Sequence, residues 1–314
     1  MTKNNIIKTF PPTVIAKMKQ FYQDWSITSA PPGAVFLAKL DNVTITAYQK
    51  SGKVMFQGAN AEYEASIWGG EEQLVVSKEN SQNSSHNYEP PANVTALSLI
   101  GSDETGTGDY FGPITVVAAY VAPENRLKCQ NLGVKDSKLL SDQEILDIAE
   151  ELMNFIPFSL LVLRNRQYNE LQQSGKNQGE LKARLHEQAI TKLLERIAPV
   201  TPDAVLIDQF CSPNTYFKYI NGKPNRSIPT YFKTKAESFS LSVAAASIIA
   251  RTAFIKEMDI MSEKLGHAIP KGASHTVDQF AAKIMMEQGI ETLNDYAKMH
   301  FANTQKAKLL AEKQ

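Results

Sequence analysis

The pattern of apolar and polar positions divides the chain into two structured stretches on either side of a polar one. Residues 77–91, SKENSQNSSHNYEPP, have no hydrophobic periodicity and are typical of a linker. Before them, an amphipathic pattern from Pro12 to Trp25 predicts a helix. Three apolar runs separated by turn residues, GAVFLAKL, VTITAYQ and KVMFQG, predict antiparallel strands. We therefore expect a small α+β domain over residues 1–85.

After the linker, the pattern changes from strands to alternating strands and helices. The runs VTALSLIG, PITVVAAYVA, PFSLLVLR and AVLID predict strands, and Ser141 with Glu144 forms a capping box that predicts the start of a helix. Further helical patterns cover residues 180–197, 237–264, 276–288 and 302–312. This order predicts an α/β fold over residues 92–314, with a mixed sheet flanked by helices.

Composition indicates a folded protein whose net charge produces no strong electrostatic field. Of the 314 residues, 43% are hydrophobic and 21% charged, and 33 basic residues balance 33 acidic ones. Binding to nucleic acid would therefore depend on local patches. Residues 1–60 are one such patch, with seven lysines against Asp24 and Asp41. They could face a phosphate backbone or be ordinary solvated lysines, and the sequence favours neither interpretation.

The two cysteines and the absence of long apolar runs bear on location. Cys129 and Cys211 are far apart and outside any C-x-x-C pattern, which argues against a disulfide framework or a structural zinc site. No stretch of about 18 apolar residues occurs, and the N-terminus does not resemble a signal peptide. We expect a cytoplasmic monomer with no membrane contact and no evident protein partner.

Two acidic residues directly follow an apolar run and precede a glycine-rich turn. They are Asp103 and Glu104, in the sequence GSDETGTGDYFGP. Carboxylates at the end of a core strand are costly unless cations or hydrogen bonds compensate them, as at a metal site. The neighbouring glycines would allow another backbone to approach closely.

Asp208 and Glu237 extend this acidic group. Asp208 ends the run AVLID, so it could lie at the same sheet edge as Asp103, whereas Glu237 begins the long helical pattern and by itself is an ordinary helix-start residue. Four carboxylates together would concentrate about four negative charges, which cations such as Mg²⁺, or Mn²⁺ in its place, would neutralise. Such ions can support phosphodiester hydrolysis without a Ser, Cys or His nucleophile.

Between these two acids, residues 212–236 interleave basic and aromatic residues and contain no acid. The basic residues are Lys218, Lys223, Arg226, Lys233 and Lys235, and the aromatic residues are Tyr216, Phe217, Tyr219, Tyr231 and Phe232. This composition suits contacts with phosphates and bases. A surface hairpin with its aromatic residues in the core explains it equally well.

The motifs together resemble the type 2 ribonuclease H family over residues from about 95 to the end. They are SDETGTGDYFGP, DSKLLS from Asp136, LIDQF around Asp208, KAESFSLSVAAASIIAR from Lys235 and IPKGAS from Ile269. The resemblance implies a ribonuclease H-like fold and an endoribonuclease that cuts the RNA strand of RNA–DNA hybrids with two metal ions, leaving 3′-hydroxyl and 5′-phosphate ends. It also implies that the metal-binding catalytic residues are Asp103, Glu104, Asp208 and Glu237.

Two details resemble the ribonuclease HIII group rather than ribonuclease HII. The turn is Gly106-Thr107-Gly108 instead of Gly-Arg-Gly, and Glu237 replaces an aspartate. That group also has an N-terminal domain similar to half of a TATA-box-binding protein, which helps to hold substrate. The resemblance implies a role in DNA replication and repair. The expected substrate-binding residues are Gly106, Thr107, Gly108, Ser137, Lys138, Lys233 and Lys235.

Four alternative interpretations of these residues differ in what they require. A dinucleotide fingerprint fails because Phe111 stands where its third glycine belongs. A zincin motif at His186-Glu187 fails because Ile190 replaces the second histidine, so we interpret these two residues as a surface pair. A non-catalytic nucleic-acid-binding protein and a ribonuclease HII with an added domain remain open. Metal dependence of cleavage would exclude the former, and single-ribonucleotide substrates would test the latter.

Overall fold

The computed structural model of the chain has two compact units, residues 1–83 and 84–314. It describes residues 4–27, 30–40, 43–48, 51–58, 61, 64–65, 68, 71–74, 88–134, 140–224 and 226–312. The boundary between the units falls inside the stretch 77–91 for which the sequence predicts a linker, of which residues 77–87 lie outside the described part.

The first unit combines an antiparallel sheet with α-helix. Its elements are β1 (Asn4–Thr9), α1 (Pro12–Phe21), β2 (Phe36–Leu40), β3 (Val43–Tyr48), β4 (Lys53–Gly58) and β5 (Glu71–Leu74), with the strands in the order β2-β3-β4-β1-β5. Tyr22, Ile45 and Phe56 lie in its core. The predicted helix and three strands are confirmed, whereas β1 and β5 were not predicted.

The second unit contains a five-stranded mixed sheet with the order β10-β9-β6-β7-β8. Its strands are β6 (Leu99–Thr105), β7 (Ile114–Val121), β8 (Phe158–Leu163), β9 (Ala204–Asp208) and β10 (Thr230–Lys233). Its helices are α2 (Arg126–Asn131), α3 (Asp142–Met153), α4 (Asn165–Gln173), α5 (Gln178–Ile197), α6 (Pro213–Tyr219), α7 (Leu241–Leu265), α8 (His275–Gln288), α9 (Leu293–Tyr296) and α10 (Ala302–Ala311). The α/β class and the capping box at Ser141 are confirmed.

Strand direction determines which ends of the sheet meet. β6 is antiparallel to β7, which is antiparallel to β8, but β6 and β10 both run parallel to β9. The carboxyl ends of β6, β9 and β10 therefore lie at one edge. Helix α5 packs on one face, against Val116 and Ala118 of β7, and α7 packs on the other, against Val117 and Ala119.

Helix α7 lies unusually close to β6. A Cβ atom added at Gly101 would overlap the backbone of Ser242 and Val243, so only glycine allows this approach. The small residues Ala244, Ala245 and Ala246 follow on the buried helix. The close approach fixes the helix against the strand that carries Asp103.

The predicted start of the long helix at residue 237 is wrong. The long helix begins at Leu241 after the cap Ser240, and residues 236–238 form a separate 3-10 turn because Lys235 adopts a left-handed conformation. Residues 212–236 are not a hairpin: they contain α6 and β10. The aromatic side chains of Tyr216, Phe217 and Phe232 are buried in the core, so they are not available to stack on bases.

No helix in the described part of the chain is long and apolar enough to cross a membrane.

Candidate active site

Two carboxylates lie side by side where β6 and β9 end. Ser102 of β6 pairs with Ile207 of β9, and the next residue on each strand is acidic, Asp103 and Asp208. Lys233, the last residue of β10, is in register with Asp208. The parallel pairing thus brings together residues that are about a hundred positions apart in sequence. We call the group Asp103, Glu104, Asp208 and Glu237 the carboxylate edge.

Asp103 is 7% exposed and faces α7, where its carboxylate accepts a hydrogen bond from Ser247. Its Oδ1 also accepts one from the backbone N–H of Glu104 at 2.8 Å. Burial, then the charges of Glu104 and Asp208, raise the pKa of Asp103 well above its usual value. The ionised form of Asp103 therefore needs a cation that the neighbouring protein groups do not supply.

Glu104 points to the opposite face and is held by α5. Its Oε1 accepts a hydrogen bond from Lys182 Nζ at 2.9 Å, and its Oε2 lies 2.9 Å from His186 Nε2. Burial alone would raise the pKa of Glu104, but Lys182, followed by His186, lowers it to about 2. Glu104 is therefore ionised at neutral pH.

The histidine extends this network into the sheet. His186 Nδ1 lies 2.7 Å from Ser102 Oγ, and Ser102 donates its hydroxyl hydrogen to Val117 O at 2.9 Å. With its hydrogen donated to Val117 O, the Ser102 hydroxyl can accept a hydrogen bond from His186 Nδ1. Phe210 covers the network, with its ring stacked on His186 at 5.2 Å and Lys182 Nζ 4.2 Å above it.

The prediction that His186 and Glu187 form a surface pair is wrong. His186 is fully buried and contacts Glu104, whereas Glu187 pairs with Arg226 at 2.5 Å on another side of α5. Sequence reasoning also missed Lys182. The two residues are four positions apart, so both project from one face of α5. That spacing could have pointed to them only with the knowledge that this face covers Glu104.

Asp208 and Glu237 are brought together by a turn. Asp208 Oδ1 accepts a hydrogen bond from the backbone N–H of Ala236 at 2.9 Å. The following residue, Glu237, is 4% exposed and lies in the 3-10 turn Ala236–Ser238. The bond joins the turn that carries Glu237 to Asp208 through backbone geometry, whereas the sequence suggested that Glu237 begins the long helix.

The glycine turn after β6 has a buried base and an exposed tip. Gly106 has φ +91°, and an added Cβ would meet Pro113 O and the ring of Phe254. Thr107 is half-buried and its carbonyl accepts a hydrogen bond from Gln178 Nε2 at 3.1 Å, whereas Gly108 is exposed with open space around its Cα. The exposed tip is the part of this turn that a ligand can reach.

The other predicted substrate-binding residues are less closely grouped. Ser137 and Lys138 lie outside the described residues. Lys233 is half-buried and its Nζ is 3.3 Å from Glu89 Oε2, while the exposed Lys235 follows it at the same end of β10.

The carboxylate edge offers only oxygen donors, which Mg²⁺ and Mn²⁺ prefer. In the part of the chain that the structure describes, however, no three His, Cys, Asp or Glu side chains are arranged around a common point at which a metal ion could bind. The contacts of Glu104 account for part of this, because Lys182 and His186 occupy its two oxygens. The donor chemistry fits divalent ions, and Glu104 would have to share or exchange these contacts to bind one.

Comparison with known proteins defines the class to which this fold and site belong. Residues 100–304 match a family model described as "Ribonuclease HII", and residues 5–82 match one described as "Domain of unknown function". The first match contains all four residues of the carboxylate edge and the glycine turn.

Relatives that match over nearly the whole chain identify a group within this family. The chain is 50% identical to ribonuclease HIII of Bacillus mycoides strain KBAB4, over 99% of each chain, and 50% identical to ribonuclease HIII of Bacillus subtilis strain 168, over 96% of each. A crystal structure of Bst-RNase HIII in complex with Mn²⁺ superimposes with a TM-score of 0.67 at 42% identity, covering 99% of this chain and 100% of that one. The chain therefore belongs to the ribonuclease HII family, in its ribonuclease HIII group.

Proposed function

We propose that this chain is an endoribonuclease that hydrolyses the RNA strand of RNA–DNA hybrids, with the carboxylate edge as its active site. The observation that carries the proposal is the environment of Asp103. It is a buried acid whose pKa is raised by burial and then by the charges of Glu104 and Asp208. A site with this concentration of buried negative charge is suited to bind positive ions that in turn attract a phosphate.

Divalent metal ions are the cofactors that fit these donors. We propose Mg²⁺ as the natural ion and Mn²⁺ as a substitute, held by Asp103, Glu104, Asp208 and Glu237. The Bst relative was crystallised with Mn²⁺, which supports the choice of a divalent ion. When bound, two such ions supply activation of water and stabilisation of the leaving oxygen, and hydrolysis leaves 3′-hydroxyl and 5′-phosphate ends.

The residues of the chain itself have distinct tasks in this mechanism. Lys182 and His186 keep Glu104 ionised and restrict its rotation, and they would share its carboxylate with a bound ion. The N–H of Ala236 donates to Asp208 Oδ1 and so orients this carboxylate. Asp103 contributes a carboxylate whose ionisation is opposed by burial and by its acidic neighbours, so a bound cation would favour its ionised form.

The glycine turn is proposed to select RNA. In a hybrid, 2′-hydroxyl groups line the minor groove of the RNA strand. The turn Gly106, Thr107 and Gly108, whose tip at Gly108 is exposed, follows two residues after Glu104, so it can contact riboses beside the cleaved bond. Thr107 offers a hydroxyl instead of a guanidinium, and we propose that efficient cleavage therefore needs several consecutive ribonucleotides.

Further substrate contacts and the cellular setting belong to the same proposal. We assign phosphate contacts to Ser137, Lys138, Lys233 and Lys235, and substrate binding to the N-terminal domain of residues 1–85, which we expect to be similar to half of a TATA-box-binding protein. Hybrids that arise during DNA replication and repair are intracellular, and we therefore propose that the chain acts in the cytoplasm. We also propose that it acts as a monomer.

An end-labelled cleavage assay tests the proposal. Wild-type protein and Asp103→Asn are incubated with an RNA–DNA hybrid and with a DNA duplex that carries one ribonucleotide, each with and without Mg²⁺. We expect Mg²⁺-dependent cleavage of the hybrid by the wild type only, and weak incision of the single-ribonucleotide duplex. Efficient incision of the latter would indicate a ribonuclease HII-like activity. The absence of wild-type cleavage with either Mg²⁺ or Mn²⁺ would leave a binding protein.

A further inference from the structure

One fully buried lysine, Lys298, has no role in the carboxylate edge. It follows α9 and is 0% exposed, and its ammonium donates hydrogen bonds to two backbone carbonyls, Asp109 O at 2.8 Å and Gly112 O at 2.5 Å. Burial lowers the pKa of Lys298 to about 7, although the charge of Asp109 opposes this shift. Keeping a charged group at such a position is costly, and a chain retains it where its hydrogen bonds are needed.

Both carbonyls belong to the segment that leaves the glycine turn. The backbone N–H of Lys298 also donates to Tyr110 O at 2.8 Å, and the backbone N–H of Gly112 donates to Tyr296 O at 2.9 Å. Residues 109, 110 and 112 are therefore each hydrogen-bonded to Tyr296 or Lys298.

Two other parts of the unit hold the same segment. The backbone N–H of Gly272 donates to Asp109 Oδ1 at 2.6 Å, and the backbone N–H of Tyr110 donates to Gly272 O at 2.9 Å. Asn165, at the start of α4, donates from Nδ2 to Gly112 O at 3.0 Å. The segment after the turn is thus fixed by α4, by the loop at Gly272 and by Lys298, whereas the tip at Gly108 is open.

We propose that Lys298 is a positioning residue for substrate recognition: it fixes residues 109–112 and thereby sets where Thr107 and Gly108 meet the RNA strand. The inference rests on the proposed function, because it assigns the turn to substrate binding. Lys298 contacts the backbone of Asp109, Tyr110 and Gly112 and no residue of the carboxylate edge. Its loss should weaken binding of the hybrid and leave metal binding and the chemical step intact.

The test compares Lys298→Met with the wild type in steady-state cleavage of a hybrid. We expect the KM to rise roughly tenfold while the kcat stays within about twofold. A contact that holds the substrate equally in the ground state and the transition state affects the KM and not the kcat when it is displaced. Hydrogen exchange should become faster in peptides covering residues 106–112, and Mn²⁺ affinity measured by calorimetry should not change. A KM equal to that of the wild type in a folded Lys298→Met protein would overturn the assignment.

Two further variants separate positioning from general stability. Asn165→Ala removes the second donor to Gly112 O and should raise the KM in the same direction, which provides the deciding measurement if Lys298→Met does not fold. Thr304→Val removes the 3.0 Å hydrogen bond to the Tyr110 hydroxyl but leaves the backbone contacts of residues 109–112. It should keep the wild-type KM, and a rise equal to that of Asn165→Ala would contradict the proposal.

The failure of this inference can be distinguished from failure of the proposed function. If the wild type does not cleave hybrids at all, the proposed function is wrong. If it cleaves them and Asn165→Ala and folded Lys298→Met show unchanged KM values, only the role of Lys298 is wrong.

Discussion

Asp103 and Glu104 are consecutive residues of β6, yet their carboxyl groups lie on opposite faces of the sheet and their pKa values are displaced in opposite directions. On the α7 side, burial and the neighbouring carboxylates raise the pKa of Asp103. On the α5 side, Lys182 and His186 outweigh burial and bring the pKa of Glu104 to about 2. At neutral pH one carboxylate is therefore stably ionised and the ionisation of the other is opposed.

Asp103→Asn should stabilise the metal-free protein at neutral pH. The pKa of Asp103 is raised in the folded state, so the native state loses stability relative to the unfolded chain as pH rises from the unfolded pKa through the folded one. Asparagine removes that loss. We expect a higher Tm at pH 7.5 in the presence of a chelator, by about 2–4 °C for each kcal/mol gained. The gain should shrink as pH falls towards 3.8, the ordinary pKa of an aspartate side chain.

The control for this measurement is Asp259→Asn, which changes an exposed aspartate of α7 and should leave the Tm unchanged. A lower Tm for Asp103→Asn at pH 7.5 without metal would contradict the assigned environment.

Lys182→Met should damage both stability and activity. The Lys182–Glu104 pair is nearly buried, with side chains 12% and 10% exposed, so removing the lysine leaves a poorly compensated charge. The expected loss is on the order of 2–4 kcal/mol in the free energy of unfolding, measured by denaturant titration. The kcat for a hybrid should also fall, because Glu104 loses one of its two restraints.

The matched control is Lys192→Met, an exposed position on the same helix α5. Equal stability of both variants would show that the pair with Glu104 contributes nothing.

Gly101 and Gly108 should respond in opposite ways to replacement by alanine. At Gly101 the added Cβ overlaps the backbone of α7, and we expect a loss of roughly 3 kcal/mol or more, or failure to fold. At Gly108 nothing lies within 4 Å, so stability should stay within about 0.5 kcal/mol of the wild type. Thermal melting of the two variants checks this, and a tolerated Gly101→Ala would refute the close approach of β6 and α7.

The site residues that could be predicted are those whose neighbouring residues in the sequence indicate their position in the fold. An apolar run that ends in acidic residues marked Asp103, Glu104 and Asp208, because strand period and strand ends are visible in sequence. Lys182 and His186 were missed because their partner lies about 80 positions away in sequence. Nothing in the sequence of α5 shows which strand it covers.

The fold shows the same limit. A long periodic element such as α5 was predicted closely. In contrast, β1 was not predicted, because NNIIKT is short and mostly polar and is a strand only through its pairing with β4 and β5. The 3-10 turn at Glu237 was also missed. It depends on the left-handed backbone of Lys235, a conformation that lysine rarely adopts.

Thr107→Val should weaken the recognition of RNA without changing the chemistry. The substitution removes one hydroxyl from the glycine turn and keeps its size, so a lost hydrogen bond to a ribose should raise the KM for a hybrid by roughly five- to tenfold at constant kcat. Thr201→Val, at an exposed position before β9, serves as the control. If Thr107→Val cleaves hybrids with the wild-type KM, its hydroxyl does not contact the substrate.

Calorimetric titration of Mn²⁺ into the wild type, Asp208→Asn and Asp259→Asn tests most directly whether the carboxylate edge binds metal. We predict saturable binding to the wild type and to Asp259→Asn, and an affinity at least about tenfold lower for Asp208→Asn, because a ligand is lost. Equal isotherms for the wild type and Asp208→Asn would contradict the account.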